Sequence, residues 1–166
     1  MYCGSLNELR IRTHDRRKEV DFYNSGLTSL LGNPMSVKIK GLIDEAETFL
    51  KVAREEFKVA VAKNDLIRIR DSAEKAWNAV VNSTNGLLLA LTGKLPLSHY
   101  ERRVMLRNAE KSNPKVRELG FRDRYMARFR VLHGEIFYEG VVDVEELRLE
   151  LEKVKEYIED VRKVQA

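Results

Sequence analysis

Between positions 124 and 140 the chain reads Arg-Tyr-Met-Ala-Arg-Phe-Arg-Val-Leu-His-Gly-Glu-Ile-Phe-Tyr-Glu-Gly. Arg124, Arg128 and Arg130 are side chains that can hold a phosphate through forked hydrogen bonds. His133 can move a proton near neutral pH. Tyr138 offers a ring and a hydroxyl for contact with a base or a phosphate. On an ideal helix each residue turns ~100°, so Tyr125, Phe129, Leu132 and Ile136 form an apolar stripe with His133 close beside it. By the same rotation Arg130 lies ~60° from His133 and Arg128 ~140° away. One straight helix therefore does not bring Arg128 to His133. A bend near Gly134, or a twofold partner contributing one of the two, would do so. From spacing alone, His133 reads first as an inert, hydrogen-bonded core histidine.

Other reactive templates fail. Gly93-Lys94 lacks both the upstream glycine and the trailing hydroxyl residue of a phosphate loop. No nucleophile elbow occurs. His14, His99 and His133 lie in three different segments, without a carboxylate motif at metal spacing. Asp44 with Glu47, and Asp71 with Glu74, are three apart, but such pairs are usual on solvated helix faces. No metal site and no cofactor are expected.

The elements that must position these residues are helices. Ile39, Leu42, Ile43, Ala46, Phe49, Leu50, Ala53, Phe57 and Val61 recur at three and four, which predicts a helix over 36–63 with Ser36 at its start. Asn64-Asp65 makes a short turn, and Asp65 caps a second helix running to Leu91 before Thr92-Gly93. So short a link makes the two antiparallel. Ser98 and Glu101 resemble a capping box opening a third helix to about Glu110. A fourth covers about Val116 to Tyr138, faltering near Gly120 and closed by Gly140. Asp143 caps a fifth, Val144 to Gln165. Residues 1–34 form an extension in which Val20, Tyr23, Leu27 and Leu30 fall at helical spacing. The expected architecture is an all-α antiparallel bundle of four to five helices over 35–166.

Composition agrees. The chain has 166 residues, 43% hydrophobic and 34% charged, with 3 Pro and 9 Gly. That suits one folded domain and disfavours a sandwich of short strands. The single cysteine, Cys3, excludes an intrachain disulfide framework, and a cytoplasmic location is expected. The longest apolar run, Leu87–Leu91, is too short to span a membrane. Net charge is +4, yet residues 96–133 hold ten Lys/Arg against four Asp/Glu, while residues 134–166 hold five against ten. A basic face for a phosphate backbone is one consequence. Pairing of these arginines with the acidic last helix is the other.

Arg128, four intervening residues and His133 match the Arg-x(4–6)-His signature of the HEPN superfamily of helical domains. The stretch Leu132–Gly140, and Ser72-Ala-Glu-Lys-Ala-Trp-Asn-Ala-Val-Val81, resemble its archaeal PaREP branch. The resemblance covers roughly 35–165. It implies a helical bundle that dimerises and acts on RNA as a metal-independent endoribonuclease, often a toxin partnered by a nucleotidyltransferase-type antitoxin. By the resemblance, Arg128 would hold the scissile phosphate, and His133 would transfer a proton at the ribose 2′-hydroxyl or the leaving oxygen. Arg124, Arg130 and Tyr138 would support binding. The resemblance also fits a non-catalytic module for a nucleotide, RNA or protein. Phe129 departs from the pattern, because nuclease members carry a polar residue directly after the arginine.

Overall fold

A computed structural model describes residues 33–165. The chain divides into two units at Pro34/Met35, and nearly all described residues belong to the second. The helix expected around Val20–Leu30 lies outside the described residues. Those described are helical, with no strand among them. The helices are α1 (Pro34–Ala62), α2 (Leu66–Thr92), α3 (His99–Ser112), α4 (Pro114–Leu119) and α5 (Phe121–Arg128). A π-helix follows over Phe129–Tyr138, and then α6 (Val144–Gln165). An all-α bundle is therefore what the sequence folds into.

The punctuation obeys local chemistry. Asp65 accepts from the Arg68 amide at 3.1 Å, Ser98 from Glu101 at 3.1 Å, and Asp143 from Glu145 at 2.9 Å. Each satisfies an amide that the first turn leaves open. Gly93 ends α2 at φ 70° and Gly140 follows the π-helix at φ 73°, left-handed positions where a side chain would be strained. Two boundaries differ from expectation. The first helix starts at Pro34 rather than Ser36, since a proline costs nothing in a first turn. The long fourth helix is three pieces. Asn113 caps Pro114–Leu119, Gly120 at φ 59° breaks the chain, and the remainder changes pitch after Arg128.

Helix α2 is the centre. Glu56 pairs with Lys75, and a Cβ on Gly86 would lie 2.7 Å from Ile43 Cδ1. These contacts, early with late around the turn, make α1 and α2 an antiparallel hairpin. Arg54 reaches Glu152 at 2.7 Å and Arg162 reaches Glu47 at 2.8 Å, so α6 runs antiparallel to α1 as well. Against the π-helix, α2 pairs Arg70 with the Phe137 carbonyl, Glu74 with His133 and Trp77 with Phe129, again antiparallel. Being covered on several sides, α2 buries more than one stripe. Ser72, Ala79, Ser83, Gly86 and Leu89 are enclosed in addition to Ile69, Ala73, Ala76, Trp77, Val80, Leu87 and Leu88, whereas Leu66 is exposed.

Burial of hydroxyls needs partners. Thr84 Oγ1 donates to the Val80 carbonyl at 2.7 Å and lies 2.8 Å from the Tyr157 hydroxyl. Its one proton being used, Tyr157 must be the donor to Thr84. Burial pushes the Tyr157 phenol well above its ordinary pKa, and pushes Tyr125 up to about 12. A phenol whose pKa is raised on folding stabilises below the unfolded value near 10 and loses that stability as pH climbs past it. Tyr157→Phe should therefore cost about 1–2 kcal/mol in denaturant unfolding at pH 8. Between pH 9 and 11 it should lose less stability than the wild type. Parallel alkaline curves would show that Tyr157 does not titrate on unfolding.

Candidate active site: a histidine pair beside a π-helix

After Arg128 the backbone widens to bonds five residues apart, as in Glu139 N donating to the Gly134 carbonyl at 3.0 Å. The change of pitch alters which residues are neighbours. On an α-helix, residues three and four apart meet. Here those five apart meet as well. Arg130 Nε lies 2.7 Å from Glu135, and the Tyr138 ring stands edge-on to His133 with centroids 5.0 Å apart. Extended π-helix is rare and is concentrated at functional sites.

His133 sits in this segment, half-buried. Its Nδ1 is 2.7 Å from Glu74 Oε2 on α2. A carboxylate only accepts, so the neutral ring carries its proton on Nδ1 and leaves the Nε2 lone pair free. Trp77, Phe129 and Phe137 enclose the ring at centroid distances of 5.9, 5.5 and 6.2 Å, with Phe137 nearly parallel to it. Tyr138 is 69% exposed and closes the outer edge. The contact with Glu74 fixes the tautomer of the neutral ring, and the aromatic side chains form a platform beside it.

A second histidine completes the site. His99, the first residue of α3, has its ring 6.0 Å from that of His133, and its Nδ1 is 3.0 Å from the Tyr125 hydroxyl. Burial against the aromatic cluster lowers its pKa, and the neighbouring Arg102, His133 and Arg103 push it the same way. Sequence spacing does not join His99 and Glu74 to the site. The histidine is distant in the chain, and the carboxylate looks like one of many on a solvated face. The one available signal is Ser98, whose cap fixes His99 in a first turn.

The arginines go elsewhere. Arg128 is 8% exposed; its Nη1 donates to the Arg124 carbonyl at 3.1 Å and its Nε lies 3.2 Å from Glu150. The second contact is poorly aligned for a hydrogen bond, so the pair is held by charge. Lys153 covers the other Glu150 oxygen at 2.6 Å. Arg124 bonds Asp160 at 2.7 Å and lies over the Phe121 and Tyr157 rings. Arg130 is exposed and tied to Glu135. Within one chain, then, Tyr138 and His133 come together, while Arg124 and Arg128 face α6. Among the described residues no group of three or more His, Cys, Asp or Glu could hold a metal ion.

Removing one member of a buried ion pair strands the other. Arg128→Ala should therefore destabilise the protein by about 3–5 kcal/mol, whereas the exposed Arg130→Ala should cost less than ~1 kcal/mol. Chemical denaturation of both variants checks this, and equal midpoints would deny Arg128 its structural role. Comparison of the chain with protein-family models finds no match, and a search of curated proteins finds none either.

Proposed function

We propose that this protein acts on RNA, cleaving it without a metal through His133. The observation that carries the reading is the Glu74–His133 contact at 2.7 Å, which leaves Nε2 free beside an exposed tyrosine and a second histidine. In the proposed step, His133 Nε2 takes the proton of a ribose 2′-hydroxyl. The 2′-oxygen bonds to phosphorus, the bond to O5′ breaks, and O5′ leaves with a proton drawn from solvent. The products are a 2′,3′-cyclic phosphate and a 5′-hydroxyl. Glu74 orients the imidazole and faces the charge that forms on it, as the carboxylate does in a catalytic triad. Tyr138 offers a stacking face to a base.

The same reading takes a second copy of the chain as partner, with Leu97, Tyr100 and Tyr138 as exposed apolar side chains flanking the two histidines. It takes a nucleotidyltransferase-type antitoxin as the regulator. Arg128 would serve the phosphate only if released from Glu150, and this favours a second reading: an RNA- or nucleotide-binding module that does not cleave. Phe129, packed on His133 where a polar companion of the arginine would stand, favours it too.

Incubation of single-stranded RNA in EDTA separates the two. Wild type should yield cyclic-phosphate ends, and His133→Ala should be slower by roughly 10²- to 10⁴-fold. Glu74→Gln should fall between them. Equal cleavage by wild type and His133→Ala would remove His133 from catalysis. RNA bound but uncut by both would establish the binding module instead.

A further inference from the structure

Of the arginines in the basic segment that do not pair with α6, three share one recess. Arg103 and Arg107 on α3 and Arg122 on α5 line one cavity of about 210 Å³, with Tyr100, Val104 and Met126 as its other walls. Arg103 and Arg107 make no ion pair among the described residues; Arg103 lies 5.9 Å from the centroid of the Tyr100 ring. Arg122 has only Asp123, at 3.5 Å. Glu110 on α3 is turned onto the Arg122 backbone amide at 3.0 Å. Three arginines thus line one recess, and Asp123 is the one carboxylate in an ion pair with any of them among the described residues. Gathering like charges costs free energy that an anion would recover.

The recess and His99 lie on the same helix, α3. His99, Arg103 and Arg107 are successive fourth residues of α3 and share one face, each step climbing ~6 Å. Arg103 is close enough for its charge to depress His99. A strand whose reacting phosphate lies between His99 and His133 would run its next phosphates along this row.

We propose that the Arg103–Arg107–Arg122 recess is a phosphate-binding subsite that tracks the backbone of a single-stranded polynucleotide leading to His99 and His133. The assignment rests on the RNA reading above, but it is tested by binding alone. The probe is a 2′-O-methyl oligonucleotide, which has no 2′-hydroxyl to attack and so cannot be cut by the proposed step. Its affinity is measured across a salt series for wild type, for Arg103→Gln/Arg107→Gln, and for Lys51→Gln/Lys155→Gln, which removes the same charge from α1 and α6. The arginine double variant should bind about tenfold or more weakly, and its log–log salt slope should be shallower by ~1.4. The lysine variant should match wild type, and thermal melts check that all three are folded. Equal binding by the two double variants would overturn the proposal. A second arm titrates inorganic phosphate. Arginine-dependent phosphate binding with unchanged oligonucleotide binding would make this a free-phosphate site and overturn the backbone assignment. Loss of cleavage activity at His133 without any change in these titrations leaves the subsite standing, so the two readings fail separately.

Discussion

The indole of Trp77 is almost wholly removed from solvent, and its ring meets those of His99, Tyr125, Phe129 and His133 at 5.0–5.9 Å. These four residues come from three different elements. Aromatic rings prefer tilted and edge contacts over loose apposition, so one large ring can fix the mutual angles of several others. It also sits on α2, which is covered on several sides. Packing of the core and placement of the two histidines are therefore set by one side chain.

The helical architecture was legible in the sequence because it rests on short-range rules. Spacings of three and four marked the buried face of α1, and Asp65, Ser98, Asp143 and Gly93 marked ends by capping chemistry that involves only neighbours. The extra burial on α2 was not legible. It arises from how many elements surround the helix, and no periodicity of α2 itself records that. The histidine at 99 and the carboxylate at 74 escaped for the same reason: their relation to His133 exists only after three elements pack.

Charge was legible as a sum but not as pairs. The segment 96–133 is basic and the segment 134–166 is acidic, and the two consequences of that asymmetry fall on different arginines. Arg124 and Arg128 cross to Asp160 and Glu150 on α6. Arg103 and Arg107 sit on α3, where Glu101 is bound up with the cap and Glu110 with a backbone amide. An amphipathic count places both sets on a helix. Which neighbour lies opposite decides whether a guanidinium becomes a strut or stays free to bind.

The π-helix carries a different kind of consequence. A rotation of ~100° per residue puts Tyr138 on the far flank from His133, and it is the pitch rather than the residue type that overturns this. The segment is clamped at its end by the Arg70 guanidinium, which holds the Phe137 carbonyl. The site is thus written in the number of residues between Phe129 and Tyr138 as much as in their identity. Loss or gain of one residue there would present a different side chain to His133 while leaving composition, hydrophobic pattern and charge nearly intact. Two chains of this type with matching residues but unequal spacing should not be assumed to share a chemistry.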